Sequence, residues 1–234
     1  MRIGDDDVTF SDRSDAGRQL AAALARFKDA RPVVLALPRG GVPVGFEIAA
    51  ALEAPLDVVL VRKLGAPGFE ELAIGAIAEG DPIETVIDRD AVAQLSVPKD
   101  YLNRAIERQT QEIQRRRAVY CGGRTRVDVH DRTAIVVDDG MATGATMRAA
   151  LRAVRRQQPA RLVMAVPVAP RDTIESLRHE ADEIVVHSVP TYFEAISPFY
   201  AEFHQLRDEE VTDLLARAAA RSSRTHGAPS RRAP

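Results

Sequence analysis

The chain has 234 residues, 45% of them hydrophobic, and 32 basic side chains nearly balance 34 acidic ones, for a formal net charge of -2. That is enough apolar content for one substantial core with room for a small accessory lobe, and it leaves no global positive field to draw the protein to nucleic acid or a membrane, so any anion site must be local. The single cysteine, Cys121, cannot close an internal disulfide, no apolar run approaches the roughly 18 residues that span a bilayer, and the first residues lack the apolar stretch of a secretory signal, so a cytoplasmic protein is expected.

Ser14 is the expected N-cap of an opening helix whose apolar positions Leu20, Leu24 and Phe27 recur at helical spacing, with the Arg31-Pro32 step closing it. Residues 33–37 are a short apolar run stopped by Pro38 and the pair Gly40-Gly41, and a helix follows from Pro43 to about Leu52. Residues 57–61 read as a second buried strand, breaking into a segment, 62–71, whose Gly65, Pro67 and Gly68 predict a mobile loop. Residues 72–78 and 83–88 read as a hairpin, and Pro98 opens a long charged helix to about Tyr120. From there one unit repeats: strand 134–137, helix 142–156, strand 162–166, helix 174–178, strand 184–187. Strands alternating with helices predict an α/β fold with a central parallel sheet and helices on both faces, where ligands sit beyond the carboxyl ends of the strands. A final helix over 208–220 and a disordered, apolar-poor tail over 221–234 complete the reading.

The most informative stretch is Ile135-Val136-Val137-Asp138-Asp139-Gly140-Met141-Ala142-Thr143-Gly144-Ala145-Thr146. An apolar strand running through a Gly/Thr turn into a helix aims several backbone N–H groups at one spot, and the helix dipole favours an anion there. Thr143 and Thr146 add hydroxyl donors. Ionised carboxylates only accept hydrogen bonds, so Asp138 and Asp139 suit the vicinal hydroxyls of a ribose and could position a hydrated magnesium ion. Cradle plus diol acceptor predicts a ribose 5-phosphate ligand. No Gly-Lys-Ser/Thr follows the turn, which excludes a Walker A loop, and the spacing is not Gly-x-Gly-x-x-Gly.

This stretch resembles closely the 5-phosphoribosyl-1-pyrophosphate motif of the type I phosphoribosyltransferases, an apolar strand followed by two acidic residues and a Thr-Gly-x-Thr turn. Pro38-Arg39-Gly40-Gly41 is similar to the short pyrophosphate loop after that family's first strand, which often holds a cis peptide; Arg39-Gly40 is the candidate here. The resemblance implies Mg2+ as cofactor, phosphoribosyl pyrophosphate and a small-molecule acceptor as partners, and a domain over residues 1–220 with an insertion at about 64–132 and an acceptor-binding hood at about 189–205. It implies binding by Arg39, Gly40, Gly41 and residues 138–146, with Asp138 and Asp139 near the metal, directly or through water. Arg39, Arg62 and Lys63 would stabilise departing pyrophosphate, with Arg62 and Lys63 expected on the same sheet edge as Arg39, and the loop after them would close over substrate. By analogy, a homodimer could form through an aliphatic face of the insertion.

Six-oxopurine transferases generally carry an Asp where this chain has Ala142, so a guanine or hypoxanthine acceptor is disfavoured and no general base is assigned. Tyr192, Phe193, Phe199 and Tyr200 fall in the expected hood, where aromatic faces either stack on a base or fill a core. Arg115-Arg116-Arg117 reads as a solvated helix end that complements the helix dipole, with anion capture as the alternative, His187 and His204 lack metal-ligand spacing, and Cys121 has no catalytic partner nearby. The alternative function is a non-catalytic sensor of phosphoribosyl pyrophosphate or a nucleotide. A pyrophosphokinase would be expected to carry two such domains.

Overall fold

The uninterrupted apolar runs of the sequence fold as strands covered on both sides. In the computed structural model, which describes residues 10–226, helix α1 (Arg13–Leu24) and a 3-10 turn (Ala25–Phe27) precede strand β1 (Pro32–Ala36) and helix α2 (Gly41–Ala51). Strands β2 (Leu56–Val58), β3 (Val61–Ala66), β4 (Phe69–Ala78) and β5 (Glu84–Ile87) come next, then helices α3 (Arg89–Gln94) and α4 (Lys99–Cys121). The second half alternates β6 (Thr133–Val137), α5 (Ala145–Arg155), β7 (Arg161–Val168), α6 (Arg171–Ser176) and β8 (Glu183–Ser188) before α7 (Asp208–His226).

A parallel five-stranded sheet runs in the order β2-β1-β6-β7-β8. Period-2 alternation divides its side chains between two cores. Val34, Ala36, Ile135, Val137 and Val163 pack with Leu20, Leu24, Ile48 and Leu215 of α1, α2 and α7. Val33, Leu35, Ala134, Val136 and Leu162 pack with Met147, Leu151, Val154 and Leu177 on the other side. The chain leaves β1 for one face and β6 for the other, and the two strands are neighbours, in register from Pro32 opposite Thr133 to Ala36 opposite Val137. A crevice opens at such a switch point, beyond the carboxyl ends of the strands.

Residues 62–71 form no loop of the expected kind. The second apolar run splits: β2 ends at Val58, and the chain enters a separate antiparallel sheet, β3-β4-β5, at Val61. Pro67 and Gly68 make a tight two-residue turn, with Ala66 paired to Phe69 and Gly68 at φ +74°. Pro then Gly at positive φ is the signature of a type II turn, so the residues that suggested a mobile loop close a hairpin instead. The expected hairpin over 72–88 is present as β4 and β5, from Gly75 opposite Ile87 to Ala78 opposite Glu84. Its small residues Ala76 and Ala78 bring it against Ala149 and Ala153 of α5, while Leu64, Ile74 and Ile77 join α4 residues Ala105 and Ile113 in the first core.

Other expectations shift by a few residues. Asp12, not Ser14, caps α1 by accepting from the Asp15 N–H. Helix α7 runs to His226, beyond the tail boundary expected after residue 220, and residues 227–234 lie outside the described residues. Arg117 is not on a solvated face: it makes a two-pronged ion pair with buried Asp57, at 2.9 Å from each carboxylate oxygen, and lies 3.6 Å from Glu79. Charges of opposite sign came together there because α4 ends against the edge strand β2. Among the described residues, no helix is long and apolar enough to cross a membrane.

Candidate active site

The crevice is built first by its glycines. The Pro38–Gly41 loop after β1 lies directly on the acidic pair after β6: a Cβ on Gly40 would stand 2.0 Å from Asp139 Oδ2, and one on Gly41 would stand 2.6 Å from the Val137 carbonyl. Residues without side chains are what let these two loops touch. The structure has one non-proline cis peptide among the described residues in this loop, and it is Pro38-Arg39, one residue earlier than the expected Arg39-Gly40.

Asp138 and Asp139 are not an equivalent pair. Asp139 is buried and turned inward, its Oδ2 accepting from Arg13 Nε at 2.7 Å. Its backbone carbonyl accepts from the Tyr200 hydroxyl, whose proton burial and the Asp139 charge hold strongly in place. Asp138 keeps partial exposure, and its Oδ1 accepts the Asp139 N–H at 2.9 Å. Burial and the adjacent Asp139 charge raise the Asp138 carboxyl well above the usual carboxylate range, with Arg13 opposing them.

Beyond the pair, Gly140, Met141, Ala142 and Thr143 turn into α5, whose N-cap Gly144 sits at φ +74°. A side chain there would be strained and would also meet Thr173 Cγ2 at 2.9 Å. Thr173 fixes the turn from the next helix by donating to the Ala142 carbonyl at 2.6 Å. The first turn of a helix leaves its N–H groups without intrahelical partners, so the backbone of Ala145 and Thr146 and the exposed hydroxyl of Thr143 line an anion-accepting mouth.

The basic side is assembled differently from the sequence expectation. Arg62 and Lys63 lie on β3 of the antiparallel sheet, not on the edge shared with Arg39. Arg62 turns to α4 and donates from Nε to Gln109 Oε1 at 2.9 Å; Lys63, on the opposite face of the strand, is exposed. Arg39 points to Asp208 at the start of α7, at 4.0 Å, and Asp208 accepts from the Tyr120 hydroxyl at 2.7 Å. Burial and this hydrogen bond push the Tyr120 phenol up to about 12.

Arg13, Thr173, Tyr120 and Asp208 were not found from sequence. Arg13 had a signal: it falls on the same helical stripe as Ala16, Leu20 and Leu24, and a cation on an apolar stripe needs a buried acid to meet it. The hood aromatics serve mainly as core. Phe199 and Tyr200 are buried with Phe10, Phe193 and Phe203 pack against them, and the Arg13 guanidinium lies 3.9 Å from the centre of the Phe203 ring. Tyr192 alone of that group is 89% exposed.

Among the described residues there is no group of three or more His, Cys, Asp or Glu side chains able to hold a metal by themselves. Magnesium does not require one, since it keeps several waters and takes one or two carboxylates together with substrate phosphates. Asp138, partly exposed and outside the direct Arg13 ion pair, fits such a shared site; Asp139, committed to Arg13, fits it only through water.

Residues 12–204 match the family model described as "Phosphoribosyl transferase domain". Two Mycobacterium tuberculosis proteins, from strains CDC 1551 / Oshkosh and H37Rv and each named "Putative phosphoribosyl transferase", are 44% identical over 209 residues, covering 89% of this chain. The chain spans about half the length of these curated relatives, 47%. The crystal structure of TT1426 from Thermus thermophilus is 44% identical, covering 89% of this chain and 98% of that one, with a TM-score of 0.76. A crevice of this form at the β1/β6 switch point, in a chain matched by that model over most of its length, makes the protein a member of the phosphoribosyl transferase family with the type I fold.

Proposed function

We propose that the protein transfers the 5-phosphoribosyl group of phosphoribosyl pyrophosphate to a nitrogenous acceptor, with nucleobases the first class to test, in an Mg2+-dependent reaction that releases pyrophosphate. The observation that carries this reading is the meeting, at one switch point, of Asp138, the 140–144 turn and the Gly40-Gly41 loop. A diol acceptor, a phosphate cradle and an anion loop then share one crevice.

In this reading the 5-phosphate sits on the N–H groups of the first turn of α5, with the Thr143 and Thr146 hydroxyls beside it. Asp138 accepts hydrogen bonds from the ribose hydroxyls. Asp139, held by Arg13, fixes the position of its neighbour and places negative charge near the sugar. Gly40 and Gly41 let backbone approach the pyrophosphate, and Arg39 and Arg62 neutralise it. The bond from C1 to the pyrophosphate oxygen breaks with its electron pair leaving on pyrophosphate, and an acceptor nitrogen lone pair forms the new bond to C1. Positive charge developing on the ribosyl group is stabilised by fixed charges already in place, which cost no reorganisation at that moment. A bound magnesium ion would supply further neutralisation of the leaving group, held by Asp138 together with substrate oxygens. The acceptor proton passes to solvent, since Ala142 offers no carboxylate near the base.

Calorimetry with phosphoribosyl pyrophosphate, with and without Mg2+, on the wild type and Asp138→Asn, followed by pyrophosphate release against a panel of bases, tests this. Magnesium-dependent binding lost in the variant and release triggered by one acceptor are expected. Binding without release for any acceptor would assign the sensor role instead, and no binding by the wild type would overturn the proposal.

A further inference from the structure

Helix α4 belongs to the insertion, yet its C-terminal half, from Gln109 to Tyr120, carries a stripe of hydrogen-bonding side chains. Gln109, Glu112, Arg116 and Tyr120 follow one another at spacings of three and four, which stacks them along a single stripe. Every member has a partner on the basic side of the crevice or within the stripe. Gln109 holds Arg62 at 2.9 Å. Glu112 accepts from Arg115 at 2.8 Å and from Arg116 at 2.7 Å. Tyr120 holds Asp208, which faces Arg39 at 4.0 Å. The stripe thus gathers two arginines that the topology delivers from different sheets.

Its charge is unbalanced. Three guanidinium groups, of Arg39, Arg62 and Arg116, meet two carboxylates, Glu112 and Asp208, and Glu112 is shared with the exposed Arg115, in a chain whose net charge is -2. Arg62 is partly buried and, among the described residues, has the neutral Gln109 amide as its hydrogen-bond partner; burial together with the nearby Arg116 charge lowers its proton affinity. Like charges crowded into a partly desolvated space are costly unless an anion joins them.

We propose that Arg116, with Arg62 and Arg39, forms an oxyanion subsite walled by α4, which takes the pyrophosphate end of the substrate and the released pyrophosphate. Gln109 and Tyr120 are positioning residues in it: the first aims Arg62, and the second, through Asp208, holds Arg39 within reach. The inference rests on the proposed function and deepens it by extending the leaving-group side onto the insertion. Arg116, an arginine with a planar fork of donors, suits a doubly charged phosphoryl group better than a lone ammonium would.

The test is titration of the full chain with inorganic pyrophosphate, and separately with ribose 5-phosphate, for the wild type, Arg116→Gln, Arg116→Lys and Arg39→Gln. Arg116→Gln is expected to weaken pyrophosphate binding about tenfold, and to flatten its salt dependence, while leaving ribose 5-phosphate binding unchanged. Arg116→Lys, which retains the charge but loses the planar fork, should recover only part of the loss, and on pyrophosphate alone, a pattern that a purely structural role for Arg116 would not give. If Arg116→Gln binds pyrophosphate as the wild type does while Arg39→Gln does not, the subsite ends at Arg39 and this inference fails with the proposed function intact. If the wild type binds neither pyrophosphate nor ribose 5-phosphate, the reading beneath it fails as well.

Discussion

The parallel sheet gathers its share of the crevice within one continuous stretch, residues 138–146, where strand, carboxylates, turn and helix follow in order. The antiparallel sheet contributes Arg62 from β3, and among the described residues that side chain relates to Arg39 through Gln109 and Tyr120 of α4 and Asp208 of α7. The proposed cradle for ribose phosphate is therefore drawn from one stretch of chain, with Thr173 and Val168 bracing its turn from the next elements. The basic side is a tertiary object, formed only when the insertion, α4 and α7 have docked. Damage to the first should act on ligand binding directly, and damage to the second should be graded.

Two buried ion pairs give the largest test of that difference. Removing one partner of such a pair leaves the other charge stranded and costs about 3–5 kcal/mol. Arg13→Leu strands Asp139, and Arg117→Leu strands Asp57; both should lose about that much in urea denaturation. Only Arg13→Leu should also abolish binding of phosphoribosyl pyrophosphate under conditions where the variant remains folded. Equal loss of binding in both would show that the two halves are not separable.

Asp138→Asn comes next. It should lower kcat/KM about a hundredfold, as expected when a charge acting in the transition state is removed. Its melting temperature should not fall, because the amide relieves a carboxylate that burial and Asp139 already disfavour. A large drop in melting temperature would mean that Asp138 supports the fold. A smaller effect is expected from Gly40→Ala. Its Cβ would collide with an Asp139 carboxylate that Arg13 holds in place, and about a tenfold loss in affinity should follow, read by calorimetry. Smallest is Tyr120→Phe, which deletes the hydrogen bond to Asp208 and should weaken pyrophosphate binding about two- to fourfold. An effect as large as that of Asp138→Asn would break the contrast between a local cradle and a graded basic side.

Much of this was legible before folding, and the failures are instructive. Alternating strand and helix patterns located the parallel sheet, and the Thr-Gly turn marked the mouth of α5. Gly65, Pro67 and Gly68 were misread because a mobile loop and a type II turn draw on the same residues; only the pairing of Ala66 with Phe69 distinguishes them. Arg117 was misread because a run of three arginines carries no mark of which one meets an acid. Its partner Asp57 lies 60 positions away.

Sequence by itself determined the order of strand, turn and helix in residues 133–155, because apolar runs, turn glycines and helix starts are short-range signals, while Thr173 and Val168 of later elements brace the turn. Tertiary structure alone decided how its two carboxylates divide their work. Asp138 and Asp139 are identical in chemistry and adjacent in the chain, yet one stays partly exposed and the other is buried against Arg13, 126 positions away. A side chain's charge is written in the sequence, whereas the partner it meets depends on where the packing of distant helices brings a counter-charge within reach.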